Sequence, residues 1–305
     1  WRDKISRRLI AEQDFNFIAV EGDFASLYHL NRYVKNLDGA ASSAKEVLKK
    51  LERWPTWMWA NEEVLALAEW LRSHNDSLPQ DKKVGFYGMD VYDEWNSKGE
   101  VLNLLKSTNL DAYDYVKDQY SCFNPHIGDS WSYARAVRHQ QSNCEAATNN
   151  VVEYLRNNRR EFPELSDDAY FYLLQNAIVV HNAEEFYRES IASVSSVSWN
   201  SRVHHMHGTV QDLLNLYGAN SKGIVWAHNT HIGDAEYTSM RNTGETNIGQ
   251  LTRDKLGSDK VFLIGFTTYQ GKVMAGPSWG APMKEMKIPP AISNSIEYKL
   301  NKIDL

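Results

Sequence analysis

The chain has 305 residues, of which 42% are hydrophobic and 24% are charged, a composition that excludes a disordered or fibrous protein. Its formal net charge is −6, from 33 basic and 39 acidic residues, which argues against a nucleic-acid partner. No apolar run is long enough to span a bilayer, so no membrane partner is expected. Two cysteines, Cys122 and Cys144, cannot form a disulfide framework and fit a reducing compartment. We therefore expect a cytoplasmic protein, and the composition leaves its oligomeric state open.

The first 96 residues alternate between helix-like and strand-like patterns, which is typical of an α/β core. Trp1 to Glu12 is predicted to form an amphipathic helix. Phe15 to Val20 is predicted to form a buried strand that ends on Glu21, and Lys83 to Met89 a second strand that ends on Asp90. Further helices are expected after the first strand and at 41–52 and 61–73.

The segment Arg53 to Trp59 places three tryptophans around a helix-breaking proline. Large amphipathic rings line many clefts for bulky ligands, but they also cover cores. A substrate wall and a hydrophobic lid over the core therefore both remain open. As a wall, this region would supply Trp57 and Asn61 as substrate-binding residues.

Residues 97 to 220 have an almost wholly helical pattern without a repeat, which predicts a helical insertion or cap. The expected helices lie at 98–105, 112–120, 130–157, 167–190 and 199–217. Strand patterns return at Ile224–Ala227, Val261–Phe266 and Lys272–Ala275, whereas the proline-rich remainder is expected to be irregular. The predicted fold is α/β, with a mostly parallel central sheet flanked by helices. Its core would comprise residues 1–96 and 221–305, interrupted by the insertion or cap at 97–220.

Three strands of buried type, well separated in the chain, each end on an ionisable residue, namely Glu21, Asp90 and His228. Parallel strands place their carboxyl ends at one edge of a sheet, where ligands bind in open α/β folds. These side chains, with nearby His231, would then converge on one site in which a carboxylate orients an imidazole. Ordinary polar turns at strand exits would also produce this pattern.

The same residues offer a second chemistry, because histidine and carboxylate side chains also bind zinc or manganese. A His-x-x-His pair in a loop is much less specific for metal than paired histidines on a helix with a catalytic glutamate. The sequence also lacks the glycine fingerprints of nucleotide-binding loops. The Gly-x-Ser-x-Gly string at Gly276–Gly280 leads into a proline-rich stretch rather than into the helix that follows the elbow of a serine hydrolase. For a hydrolase, an activated water is therefore the expected nucleophile. The residues leave the metal-bound alternative open, and no other cofactor is indicated.

A further polar concentration, Asn200 to His207, lies at the start of the last helix of the insertion. Helical spacing puts Arg202 and His205 on one face and His204 on another. Three histidines this close exceed what packing needs, although at least one of them is expected in solvent. Arg202 and His205 join Asp90 as candidate substrate-binding residues.

Six segments spread over nearly the whole chain match characteristic segments of one family. They are Asn31–Val34, Pro55–Trp59, Phe86–Asp90, Asn182–Glu184, Trp226–His231 and Asn247–Gln250. On these segments the chain resembles the erythromycin esterase-like proteins. The resemblance implies metal-independent ester hydrolysis, in which histidine activates water against the lactone carbonyl of a macrolide antibiotic. Some relatives carry a label of succinoglycan biosynthesis, which the residues neither support nor exclude.

Carried over to this sequence, the resemblance implies four catalytic residues. Arg2 looks like an arginine of the active-site cleft, and Glu21 matches a glutamate needed for activity. His228 and His231 match the paired histidines of the cleft. In the family's Asn-x-Arg-Asp segment, here Asn200–Val203, valine replaces the acidic residue and so removes an acceptor. The family's Gly-Glu-x-x-His motif, which carries its principal catalytic histidine, is expected shortly before Arg2, outside the given sequence.

The leading hypothesis is a hydrolase of carboxylic esters, with macrolide lactones as candidate substrates. Glu21 would hold a histidine, His228 or His231 would serve as base or oxyanion donor, and Arg2 would stabilise developing charge. The alternatives are a metal-dependent hydrolase that uses the same residues, and a binding protein that kept the cleft without the chemistry.

Overall fold

A computed structural model of the chain describes residues 1–139, 143–192 and 194–303. It contains a three-stranded parallel sheet, a second small antiparallel sheet and a large helical part. The fold is therefore rich in helix and agrees with the predicted α/β class. The division into a two-part core and an inserted domain stays a prediction.

The central sheet consists of β1 (Phe17–Asp23), β2 (Gly85–Asp90) and β3 (Gly223–Trp226). β1 lies in the middle and pairs in parallel with both neighbours, so that Val20 is opposite Gly88 on one side and Trp226 on the other. Since all three strands run in the same direction, their carboxyl ends meet at one edge. The predicted parallel arrangement of these strands is confirmed.

A bulge near the end of β1 shapes this edge. The register between β1 and β2 shifts between Val20 and Asp23, and Gly88 lies against the shifted backbone. A Cβ atom added to Gly88 would stand 2.3 Å from the carbonyl oxygen of Asp23. Glycine at this position therefore lets the last residues of β1 approach β2 closely.

Helices surround the central sheet and form the remaining body of the protein. The α-helices of the described ranges are α1 (Arg2–Gln13), α2 (Phe24–Lys35), α3 (Ala44–Leu48), α4 (Glu62–Asp76), α5 (Glu94–Thr108), α6 (Leu110–Gln119), α7 (Ser130–His139), α8 (Glu145–Asn157), α9 (Asp167–Ala192), α10 (Ser195–Tyr217), α11 (Asn229–Ile232), α12 (Met240–Thr243), α13 (Ile248–Leu256) and α14 (Ile296–Leu300).

The two faces of the sheet are covered by different helices, because side chains alternate along a strand. Ile18 and Val20 of β1 pack into a core with residues of α2 and α4. Phe17 and Ala19 point the other way and pack into a core that includes residues of α9 and α10. A third core, among α5 to α9, holds the helical part together.

Three predicted elements differ from the structure. The strand predicted at Val261–Phe266 is wrong, since this segment joins no sheet, and the side chain of Phe262 is 89% exposed. Strand-type residues form a strand only when they pair with another strand, and this segment does not pair with the free edge of β3. The helix predicted at 130–157 is divided into α7 and α8, with residues 140–142 outside the described ranges. The helix predicted at 41–52 is reduced to α3.

The second sheet was only half predicted. The strand expected at Lys272–Ala275 is confirmed as β4 (Gly271–Ala275). It pairs in antiparallel fashion with β5 (Lys284–Ile288), a strand in the region expected to be irregular. The prolines of this region flank β5 and leave the strand itself free of them, so they are compatible with a short hairpin-like pair.

Cys122 and Cys144 are joined by a disulfide bond. Two cysteines are too few for a framework, but they suffice for a single bridge. The prediction of a reducing compartment rested on the low cysteine count, and it loses that support. In the part of the chain that the structure describes, no helix combines the length and apolarity needed to cross a bilayer.

Candidate active site

Glu21 is the centre of the site at the carboxyl edge of the sheet. One carboxylate oxygen, Oε1, accepts a hydrogen bond from Nη2 of Arg202 at 2.9 Å and lies 3.3 Å from Nε2 of His231. The other oxygen, Oε2, accepts the backbone N–H of His228 at 2.9 Å. Burial raises the pKa of Glu21, but the His231 hydrogen bond and charge, the His228 amide and Arg202 outweigh it and lower this pKa to about 2. Glu21 is therefore a carboxylate at neutral pH.

Arg202 joins Glu21 to the end of β2. Its Nε and Nη2 donate to both oxygens of Asp90, at 2.8 and 2.7 Å, in a bidentate pair. Asp90 is only 2% exposed. Burial opposes its charge, but the charge and hydrogen bonds of Arg202 lower the pKa of Asp90 below its ordinary value. The loss of an acidic neighbour at Val203 does not leave Arg202 without acceptors, and Val203 packs in the core instead.

His231, in α11, is held on three sides. Its ring lies parallel to the ring of Trp199, with centroids 4.6 Å apart. Its Nε2 lies 3.0 Å from Nη1 of Arg202 and 3.3 Å from Glu21. Nδ1 is buried and has no hydrogen-bond partner within the described ranges. If Nδ1 carried the proton, a buried N–H would lack an acceptor, which is rare. Glu21 can accept a proton carried by Nε2, whereas Nη1 of Arg202 can only donate to this atom, so Nε2 lies beside an acceptor and a donor.

His228 differs from His231 in being exposed. Its Nδ1 accepts the backbone N–H of Thr230 at 3.3 Å and lies 2.9 Å from the hydroxyl oxygen of the same residue. Because Nδ1 accepts an amide proton, the neutral ring carries its own proton on Nε2. His228 therefore presents a hydrogen-bond donor, whereas its backbone amide is already used by Glu21.

Asp23, Arg53 and Tyr92 extend the network, although the sequence did not single them out as functional. Asp23 precedes α2 but makes no side-chain capping bond, and its carboxylate pairs with Nη1 of Arg53 instead. Nη1 of Arg53 also lies 3.8 Å from Oδ2 of Asp90. The guanidinium groups of Arg53 and Arg202 lie 4.1 and 4.9 Å from the ring centroid of Tyr92. Asp23 lies two residues after Glu21, and Tyr92 lies two residues after Asp90. This spacing is the only sequence pattern that could have identified them, and Arg53 had none.

The remaining predicted residues occupy different places. Arg2 is exposed, and its guanidinium lies 5.3 Å from the ring centroid of Trp226 rather than in the Glu21 network. Asn61 caps α4 by accepting the N–H of Val64, and its amide group donates to the carbonyl of Trp57. His205 is buried, which lowers its pKa to about 4, and its Nδ1 lies 2.9 Å from the side-chain amide of Asn182. The catalytic role of Arg2 and the substrate-binding roles of Asn61 and His205 stay predictions.

The tryptophan segment is divided between the core and the surface. Trp59 is buried in the core beside α2 and α4, and its Nε1 donates to the carbonyl of Glu21 at 3.0 Å. Trp54 and Trp57 are half-buried and stack edge to face, with ring centroids 5.6 Å apart. Trp54 also contacts Trp279 at a centroid distance of 4.6 Å. Trp59 is thus part of the core, while the other rings form an aromatic surface that we call the tryptophan face.

Fold and site together define a class of protein. It is an α/β protein with carboxylate, guanidinium and imidazole groups at the carboxyl edge of a parallel sheet. Residues 10–305 match the erythromycin esterase family, and the chain belongs to that family. The family resemblance inferred from the sequence is confirmed. Membership of this family supports the classification of the protein as a hydrolase. Arg2 lies outside the matched range.

Solved structures show the same fold at low sequence identity. A succinoglycan biosynthesis protein aligns with a TM-score of 0.77 at 19% identity, covering 99% of this chain and 69% of the other. A protein from Bacillus cereus aligns with a TM-score of 0.78 at 18% identity, covering 99% and 70%. A mutant of the erythromycin esterase EreC in its open conformation gives 0.62 at 16%, covering 95% and 72%. These likenesses concern the fold alone.

Proposed function

We propose that the protein hydrolyses carboxylic esters, with macrolide lactones as candidate substrates, by water that a histidine activates. The observation that supports this most strongly is the Glu21 carboxylate, which is held in its ionised form against His231. Such a pair fixes the tautomer of the imidazole and stabilises its protonated form as it takes a proton from water. Family membership supports the same class of reaction.

In this proposal His231 is the base. In the proposed reactive tautomer Glu21 binds the proton on Nε2, and the lone pair lies on Nδ1. Nδ1 is buried, so the attacking water has to enter the space beside this atom to give up its proton. The resulting imidazolium would be stabilised by the adjacent carboxylate. The water oxygen forms the new bond to the ester carbonyl carbon, and when the tetrahedral intermediate collapses the leaving alkoxide takes the proton from the imidazolium and departs as the alcohol.

His228 is proposed as the donor that stabilises the oxyanion. Its exposed ring carries a proton on Nε2, and such donors act where charge develops on the carbonyl oxygen. Arg202 holds Glu21 and Asp90 in place, and so acts on the reaction through other residues. The role of Arg2 in stabilising charge remains part of the proposal, although its guanidinium contacts Trp226 in this structure.

Replacing His228 with alanine should lower kcat for ester hydrolysis by about 10²- to 10³-fold. The fold should persist, because the backbone amide that binds Glu21 is retained. Initial rates with 4-nitrophenyl acetate and with a macrolide lactone, together with thermal unfolding, measure both effects. His74→Ala, in α4, is the control and should keep normal rates. Wild-type rates in His228→Ala would remove this residue from the mechanism.

The metal-dependent alternative is tested separately. Within the described ranges, no three or more His, Cys, Asp or Glu side chains are grouped so that they could hold a metal ion. The positively charged guanidinium of Arg202 contacts both Glu21 and His231 and would repel a cation bound to these two side chains. We expect unchanged hydrolysis after chelation and dialysis. Loss of turnover that returns on adding zinc or manganese would instead establish the metal-dependent reaction. The other alternative, a binding protein, would be established if the protein bound a macrolide without hydrolysing it.

A further inference from the structure

Arg53 is a second arginine of the site that the proposed mechanism does not use. It lies between α3 and α4, directly before the residues of the tryptophan face. Its Nη1 contacts the carboxylates of both Asp23 and Asp90. Asp90 in turn binds Arg202, which binds Glu21. The guanidinium of Arg53 is therefore part of the same charged network as the candidate catalytic carboxylate.

Arg53 and Arg202 differ in how many of their donors are used. Arg202 is 11% exposed, and its Nε and Nη2 donate three hydrogen bonds to Asp90 and Glu21. The side chain of Arg53 is 36% exposed, and its Nε and Nη2 have no hydrogen-bond partner within the described ranges. Arginine carries five N–H donors in a planar fork that fits a carboxylate. Arg53 thus has free donors that face solvent beside the site.

The surroundings of Arg53 orient it without using these donors. Its guanidinium stacks on Tyr92 at 4.1 Å from the ring centroid, which fixes the plane of the fork. Asp23 holds one end of the fork through Nη1. A preorganised arginine loses less conformational entropy when it binds an anion than a mobile one does.

On these contacts we propose that Arg53 binds a negatively charged group of the substrate, so that the protein prefers esters that carry a carboxylate away from the scissile bond. The inference rests on the proposed ester hydrolysis and adds a substrate class to it. The tryptophan face, next to Arg53 in the chain, would contact the apolar part of such an ester.

The acidic neighbours of Arg53 do not cancel its charge completely. Burial, and then the charge of Asp93, raise the pKa of Asp23 to about 7, although Arg53 opposes this. Burial likewise raises the pKa of Asp93 to about 6 and that of Glu94 to about 8. Glu94, and Asp23 in part, therefore hold protons near neutral pH, which reduces the repulsion that an incoming anion meets.

The test compares two acetate esters of matched shape, 4-acetoxybenzoate and 4-acetoxybenzamide, which differ in charge. The wild type should show a higher kcat/KM for the anionic ester. Arg53→Gln should lower kcat/KM for 4-acetoxybenzoate by about 10- to 100-fold more than it lowers kcat/KM for the neutral amide, mainly through KM. Arg53→Lys should lose part of the preference, because lysine keeps the charge but not the fork. Arg72→Gln, which also removes an arginine paired with a carboxylate and stacked on a tyrosine, should change neither rate.

A binding measurement separates this inference from the proposed function. Calorimetry should show that 4-hydroxybenzoate binds to the wild type and about 10-fold or more weakly to Arg53→Gln and Arg53→Lys. If this difference appears while neither ester is hydrolysed, the anion site stands and the esterase proposal falls. Equal binding and an unchanged preference in a folded Arg53→Gln would overturn the role of Arg53. If that variant does not fold, full wild-type preference in Arg53→Lys would overturn it.

Discussion

Replacing Glu21 with glutamine is expected to lower kcat/KM for ester hydrolysis by about 10²- to 10⁴-fold. Glutamine is almost the same size and keeps an oxygen that can accept the His228 amide. It lacks the negative charge that holds the proton on Nε2 of His231 and that would stabilise the protonated ring. The loss should therefore appear mainly in kcat, with substrate binding little affected.

The matched control is Glu12→Gln. Glu12 also accepts two hydrogen bonds from an arginine, Arg8, but it lies on the exposed surface of α1. This variant should hydrolyse esters at the wild-type rate. Hydrolysis within a few-fold of wild type in Glu21→Gln, with the fold intact by circular dichroism, would mean that the carboxylate has no part in the reaction.

The Glu21 variant also has a defined pH dependence of stability. The folded pKa of Glu21, about 2, lies below its ordinary value of 4.5. Its contribution to the free energy of unfolding is therefore complete above about pH 5 and is lost as the pH falls toward about 2. The difference in stability between wild type and Glu21→Gln should shrink over this range. Denaturant titrations at several pH values measure it.

Removing Arg202 should have the largest effect on stability. Arg202→Met would leave Asp90, which is 2% exposed, without the bidentate partner that compensates its charge. Breaking a buried ion pair on one side costs on the order of 3–5 kcal/mol of unfolding free energy. We expect this loss in urea titrations, together with loss of activity, because Glu21 and His231 lose a contact as well.

A double mutant identifies the cause of that loss. In Arg202→Met with Asp90→Asn, the buried charge is removed along with its partner, so the double mutant should be more stable than Arg202→Met alone. Arg72→Gln breaks the more exposed pair with Asp76 and should cost much less. A double mutant that is less stable than the wild type by the full sum of the two single-mutant effects would show that the two side chains do not interact.

The sequence predicted the arrangement of the strands better than the contacts of the loops. Glu21, Asp90 and His228 follow buried strands, and the rule that parallel strands end at one edge was enough to bring them together. The pairing of Arg53 with Asp23 crosses from a loop to a strand, and no periodic pattern encodes such a contact. The strand predicted at Val261–Phe266 was wrong for a related reason. Strand-type residues form a strand only when they pair with another strand, and this segment pairs with none.

The burial of individual site residues was also beyond the sequence. His228 and His231 are three residues apart, yet one is exposed and the other is only 2% exposed. The short helix α11 turns the chain between them and places His231 beneath Trp199. The positions of both histidines in the chain could be read directly, but their different burial and their different partners follow only from the structure.

The three partners of Glu21 belong to distant parts of the chain. Arg202 is 181 residues away and the His228 amide is 207 residues away. A single carboxylate thus closes two very long loops, and no fragment shorter than these loops contains the complete arrangement. The contacts of the site are therefore highly non-local. Such contacts are expected to form late in folding, because the loop-closure entropy must be overcome before they can be made. Catalytic competence should consequently arrive only with the completed tertiary structure, and turnover is a sensitive reporter of whether the whole chain has folded.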